Sequence, residues 1–249
     1  MPQTPAARES ERAQEVLRDR WWEPPKMWAG EIVFIIGGGP SLRGFDFSPL
    51  YGRRVIGCND AYSLGHWVDI CIFGDWGWWI IHGHDQVVSE KHGRNHPGLR
   101  RFPNLVVANT PLRNMVQIYE GAPGFDLLPF KRILPMHRRP GKMPVDAPRH
   151  TLVWHDNVGA SAIHLALLLG AVRVVLLGFD MKTTKRKTNW HNPIKAPAVP
   201  KKMAFHRREH DLMALEVEGN PEFTKVDIVN VTPGSKLTAW PTAKFKDML

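Results

Sequence analysis

Ile32-Val33-Phe34-Ile35-Ile36-Gly37-Gly38-Gly39-Pro40-Ser41-Leu42 decides the fold. The run Ile32 to Ile36 is β-branched or aromatic throughout, which predicts a strand buried on both faces. The three glycines that follow let the backbone turn sharply and come close to a ligand, with no Cβ in the way. Pro40 and Ser41 suit the start of a helical turn, whose free N–H groups favour an anion. Strand, glycine turn and helix start together predict a phosphate or nucleotide site; the plainer alternative is a tight turn ending a core strand. The dinucleotide fingerprint is excluded, because the next glycine after Gly39 is Gly44. A P-loop is excluded because no Gly-Lys-Ser/Thr follows.

Outward from this stretch, strands alternate with helical segments. Arg54 to Cys58 predicts a second strand ending in Asn59-Asp60. Trp67 to Phe73 predicts a third ending in Gly74-Asp75, and Leu105 to Ala108 a fourth ending in Asn109. The periodicity of Val158 to Leu169, stopped by Gly170, predicts a helix. Val172 to Leu177 predicts a fifth strand, closed by Gly178-Phe179-Asp180. A helix over 207–217 and a strand over Val226 to Val231 complete the pattern. Residues 7–20 alternate charge like a peripheral helix, ended by Pro24-Pro25. The stretch 110–154 has no readable pattern. The fold class expected is α/β, a mostly parallel sheet with helices on both faces. The division expected is a helical extension over 1–29 and a single domain over 30–249, with 76–154 as an insertion or lid. In parallel sheets ligands sit at the carboxyl ends of the strands. The polar strand endings therefore converge on one crevice.

The chain has 249 residues, 43% hydrophobic, which is enough for one large α/β domain. Its net charge of +9 suits nucleotides, nucleic acid or anionic glycans, without choosing among them. Cys58 and Cys71 lie in apolar runs and read as buried free thiols of a reducing compartment. No apolar run reaches the roughly 20 residues of a membrane span, and residues 1–20 do not read as a signal peptide. A cytoplasmic protein is expected. The ten tryptophans cluster at Trp21-Trp22, Trp28 and Trp76 to Trp79, suggesting aromatic packing or a stacking surface. His82, His84, His92 and His96 invite a metal reading, with His82 and His84 on one face of a strand. No carboxylate or cysteine completes a zinc pattern in the sequence, so no metal site is assigned and a polar lid is expected there.

Gly37 to Leu42, Cys58-Asn59, Asn157-Val158-Gly159 and Leu176 to Asp180 together resemble the bacterial sialyltransferases that use CMP-sialic acid. They also resemble a related Rossmann-like family of 6-hydroxymethylpterin pyrophosphokinases and phage proteins; the short tail is most similar to the phage members. The resemblance covers about Ile32 to Ser235. It implies a Rossmann-like domain, in the host cytoplasm if phage-encoded. It implies that Gly37, Gly38, Gly39, Pro40, Ser41, Asn59, Asn157, Val158 and Gly159 hold the nucleotide, with Gly178 and Asp180 beside it. Val158 stands where that family has a serine. The family's general base is a histidine five residues before an aspartate, and His206 and Asp211 hold that spacing. Tyrosines that stabilise the departing phosphate have no counterpart over 182–188, where Lys182, Lys185 and Arg186 offer positive charge instead.

The leading expectation is glycosyl transfer from a CMP-linked nucleotide sugar, with His206 deprotonating the acceptor and no metal required. One alternative is pyrophosphoryl or phosphoryl transfer from ATP, with Asp75 and Asp180 as carboxylates for Mg²⁺. Another is a non-enzymatic phage protein that binds nucleotide or nucleic acid through its basic loops. Trp190 and His191 are placed for base stacking in that loop. Asp180 is equally suited to a ribose, a metal or a loop cap. No oligomeric state is implied.

Overall fold

The computed structural model describes residues 11, 15, 17, 20–89, 94–111, 114, 115, 118, 133–140, 143, 147–182, 189–191 and 200–249. Its centre is a seven-stranded sheet in which every pairing is parallel. The strands are β1 (Ile32–Ile36), β2 (Arg54–Cys58), β3 (Ile70–Phe73), β6 (Leu105–Ala108), β7 (Ile133–Pro135), β10 (Arg173–Leu177) and β11 (Asp227–Asn230). Their spatial order is β11-β10-β1-β2-β3-β6-β7. β4 (Gln86–Ser89) and β5 (Arg94–Pro97) form an antiparallel hairpin. β8 (His137–Pro140) and β9 (Thr151–Trp154) form a separate parallel pair. The architecture is α/β and Rossmann-like, as the sequence predicts.

The alternation of each strand divides the core into two layers. Val33, Ile35, Ile56, Ile70, Ile72, Val174 and Leu176 face one layer. Phe34, Ile36, Val55, Cys71, Phe73, Val175 and Leu177 face the other. The first layer is covered by α2 (Val158–Leu168) and by Met213 and Val217 of α3 (Pro200–Gly219). Ten of the eleven residues of α2 are buried, which is why the segment is apolar nearly all round. Its two buried polar side chains tie it to β9: Ser161 Oγ donates to Val153 O (2.8 Å), and His164 Nδ1 accepts from Val153 N (3.1 Å). The second layer is covered by α1 (Trp76–His82), by 3₁₀ turns at Ser48–Leu50 and Asn59–Leu64, and by the C-terminal Phe245, which meets Phe34 and Phe45 edge-on.

Several expectations shift. The helix expected at 207–217 begins at Pro200, seven residues earlier. Pro200 suits a first helical turn, while the following residues carry no apolar stripe to read. His82 closes helix α1, so His82 and His84 do not share a strand. Residues 76–154 supply β6 and β7 to the main sheet as well as α1 and the hairpin. Most of the helix expected over 7–20 lies outside the described residues. Its Glu11, Glu15 and Leu17 are helical, and Leu17 is fully buried in the second layer rather than peripheral. Trp28 is also buried, against the first layer. Among the described residues no helix is long and apolar enough to cross a membrane.

Candidate functional site

From β1 the chain proceeds through β2, β3, β6 and β7 on one side and returns to β10 on the other. The order therefore reverses between β1 and β10. In open parallel sheets that reversal opens a crevice beyond the strand ends. Gly37–Ser41 follow β1 and Gly178–Asp180 follow β10, so the quoted stretch sits at the switch point.

The two turns interlock. Gly39 N donates to Gly178 O at 2.8 Å, and Gly37 N to Leu177 O at 2.8 Å. A Cβ on Gly39 would collide with the Asp180 carboxylate and the Gly178 carbonyl. Gly178 adopts φ +72°, where its missing side chain is an advantage. Asp180 is buried and locked to Ser41 by both oxygens: Oδ2 accepts from Ser41 Oγ (2.7 Å) and Oδ1 from Ser41 N (3.2 Å). Burial pushes its carboxyl above the usual range, against those hydrogen bonds and the charge of Lys182. The N–H groups of Gly37, Gly39 and Ser41 are thus satisfied within the protein, and Pro40 has none. Trp190 closes over the turn, with N donating to Gly38 O (3.0 Å) and Nε1 to Gly37 O (3.0 Å). The turn is held largely by hydrogen bonds within the chain, and its glycines still line the cleft. Asp180 locks the turn, a role the sequence reading did not include.

Beyond this interlock lies a cleft of about 540 Å³, within the size range of small-molecule sites. Gly37, Gly38, Gly39 and Pro40 form one edge, with Gly178, Asp180 and Lys182 beside them. Asn59 enters from the end of β2, and Asn157, Val158 and Gly159 from the start of α2. Ser41 is the one expected nucleotide residue that does not line the cleft; it turns to Asp180. Lys185 and Arg186 lie outside the described residues.

Asn59 takes φ +52°, a left-handed conformation that asparagine tolerates. Its Oδ1 is buried and has no hydrogen-bond partner among the described residues. A buried acceptor without a donor is costly unless a ligand supplies one. Asn157 caps α2: its Oδ1 accepts from Gly159 N at 2.8 Å. Its Nδ2 donates to His210 Nε2 at 3.0 Å, so a fully buried imidazole fixes the amide at the cleft. Burial pushes His210 down to about 3, which keeps it a neutral acceptor.

α3 carries a column of groups four residues apart, which places them on one helix face. Lys202 and His206 line the cleft, and His210 lies buried behind Asn157. His206 is half-buried, and its Nδ1 has no partner among the described residues. Burial and then the charge of Lys202 lower its pKa, opposed by Asp156 and Glu209. It is therefore a neutral imidazole at neutral pH, the state a general base needs. Asp211, expected from the spacing to accompany it, is exposed, and the carboxylates acting on His206 are Asp156 and Glu209. Further in, His155 sits between Glu209 Oε2 and Glu216 Oε2, each at 3.1 Å. Burial opposes its charge, but the two carboxylates outweigh it and raise its pKa.

Four aspartates (Asp60, Asp75, Asp156 and Asp180) and two lysines (Lys182 and Lys202) line the cleft among the described residues. The ring of Trp154, which lines the cleft, has the Arg138 guanidinium 3.6 Å from its centre, and Arg138 Nε donates to Asn109 O (2.8 Å). Burial pushes Arg138 down to about 10, opposed by Asp75 and Asp156. Sequence reasoning missed Lys202, His210, Trp154 and Arg138. The spacing 202/206/210 was the available signal for two of them. Trp154 and Arg138 come from strands with no local pattern.

Comparison of the chain with models of known protein families, with curated proteins and with solved structures finds no match.

Proposed function

We propose that the protein is a nucleotide-dependent transferase that moves a glycosyl group from a nucleotide sugar to a hydroxyl acceptor. One observation carries the reading. Within the single switch-point cleft, the partnerless acceptor Asn59 Oδ1, the capped start of α2 and the neutral His206 beside Lys202 face the same space. Asn59 Oδ1 suits an exocyclic base amine, as on cytosine or adenine. The start of α2 favours the phosphate. His206 takes the acceptor's proton as the new bond forms, and Lys202 and Lys182 balance the charge left on the departing nucleotide. This assignment keeps the phosphate at the start of α2, as the sequence leads one to expect, and replaces the family's tyrosines by lysines from two segments. The ATP reading fits less well, because Ser41 already occupies both oxygens of Asp180.

Thermal-shift measurements with CMP, CDP, ATP and GTP, each with and without Mg²⁺, test the reading. Stabilisation by CMP or CDP without metal is the expected result. Stabilisation only by ATP with Mg²⁺ would transfer the site to phosphoryl chemistry. No response to any nucleotide refutes both. His206→Ala should abolish turnover of a nucleotide sugar while leaving the nucleotide shift intact; surviving turnover removes His206 as the base.

A further inference from the structure

The four-histidine segment found no completing carboxylate in the sequence, but the fold supplies one from far upstream. Asp60, in the 3₁₀ turn after β2, meets His82 at the end of α1 and His96 on β5. One ligand atom from each lies within 4.8 Å of the others. Asp60 is 2% exposed and His82 fully buried. We propose that Asp60, His82 and His96 bind a zinc ion that clamps the β4–β5 hairpin to the wall of the cleft.

The geometry has the features of a metal site around it. Asp60 Oδ1 and His82 Nε2 are 3.4 Å apart, longer than a charge-assisted hydrogen bond of about 2.7–2.9 Å. That separation matches the edge of a tetrahedron with metal–ligand bonds of about 2.0–2.1 Å. Both imidazoles are oriented from behind. His82 Nδ1 is 2.9 Å from Tyr62 Oη, and with its proton there the ring presents Nε2 to Asp60. His96 Nδ1 donates to Pro97 O at 2.9 Å, which leaves its Nε2 a lone pair. Ligating histidines are characteristically held this way, by a hydrogen bond from the other ring nitrogen. Trp78 fixes the remaining parts: its ring stacks on His82 (4.4 Å, 9°), and its Nε1 donates to Asp60 Oδ1 at 2.7 Å. Two nitrogens and one oxygen suit zinc rather than magnesium or calcium, which demand more oxygen ligands. On the cleft side His191 Nε2 approaches Asp60 Oδ2 at 3.6 Å. His84 is outside the cluster; its Nε2 pairs with Ile80 O at 3.0 Å.

Asp60 and Trp78 also line the cleft, so the ion would set the position of that wall. The inference does not depend on the transferase reading, and its test does not measure turnover. The full chain, stripped with a chelator and dialysed, is titrated with Zn²⁺ and separately with Co²⁺. Expected results are one equivalent of zinc retained through gel filtration, a higher Tm, and the intense visible absorption of four-coordinate cobalt. His96→Gln, at a half-buried position that does not carry the core, should weaken Zn²⁺ binding by roughly 100-fold or more, and Tyr62→Phe by about 10–100-fold. His84→Gln should leave it unchanged. Absence of stoichiometric binding, or equal affinity in His96→Gln, overturns the proposal.

Discussion

Mild acid should destabilise the protein through two buried histidines, and His164→Asn isolates one of them. His164 is enclosed between α2 and β9, and burial pushes its pKa down to about 3. The buried His210 is likewise pushed down to about 3. In the unfolded chain each titrates near 6.5. For a base with a depressed folded pKa, the unfolded state binds the proton first. Stability is therefore full above about pH 6.5 and falls as the pH drops toward about 3. Between about pH 7.5 and about pH 5.5 each histidine costs about 1.4 kcal/mol, roughly 3 kcal/mol for the pair. His137 and His206, whose pKa values are also lowered, act in the same direction. His155 acts in the opposite one: its pKa is raised, so its contribution is full below its unfolded value and is lost as the pH rises through the folded one. Asp69 and Asp180, raised chiefly by burial, act in the same direction as His155. Because the wild-type slope mixes these signs, the informative quantity is a difference. Asparagine at 164 keeps an oxygen for Val153 N and removes the titration. Urea unfolding followed by tryptophan fluorescence at both pH values should show the variant losing about 1.4 kcal/mol less than wild type. An equal loss in both proteins would refute the assignment of His164 as a buried neutral group.

Gly39→Ala should cost about 1–3 kcal/mol and abolish the nucleotide-induced rise in Tm, since its Cβ meets the Asp180 carboxylate. Gly38→Ala, whose nearest atom is the Asn189 Oδ1 at 3.3 Å, should be far better tolerated in the same assay. Asn157→Ala removes the cap of α2 and should cost about 1 kcal/mol by denaturant unfolding. Asn157→Asp keeps the cap but loses the donor to His210, so it should spare helix stability and weaken nucleotide binding. Burial pushes Cys58 up to about 12 and Cys71 well above its usual value, so neither should react with a thiol reagent until urea unfolds the chain.

The sheet was legible because buried parallel strands are largely apolar runs, as in β1, β3, β6 and β10. α2 was legible for the same reason. β7, β8 and β9 were not. β7 pairs only three residues, ending in Pro135, and β8 reads His-Arg-Arg-Pro, which no periodicity marks as a strand. The first turn and a half of α3 is equally silent, because a polar helix start on the rim buries no stripe. Its early start brings Lys202 into line with His206. Asp60 lies 22 residues before His82 and 36 before His96 in the numbering, so it takes the turn after β2, the end of α1 and β5 to bring them together. Local pattern carries backbone layers well, whereas groups gathered from several strand ends have no local signature.

The glycine triplet serves the fold as well as the cleft. Three adjacent glycines at a strand end predict a close approach of backbone to a ligand. Two of the three answer to the turn after β10: Gly37 and Gly39 lie against the Gly178 carbonyl, and Gly39 leaves room for Asp180 to reach Ser41. A Gly-rich segment at a switch point must fit between two strand ends before it can fit a ligand. Other polar groups that line the cleft come from elsewhere, among them Asn59, Asn157, Lys202 and His206. The chemistry of the cleft is therefore separable from its architecture. Substitutions at Gly39 or Ser41 should change stability and binding together, whereas substitutions at Lys202 or His206 should change turnover in a protein of unchanged Tm. A Tm loss in His206→Ala as large as in Gly39→Ala would place His206 in the scaffold.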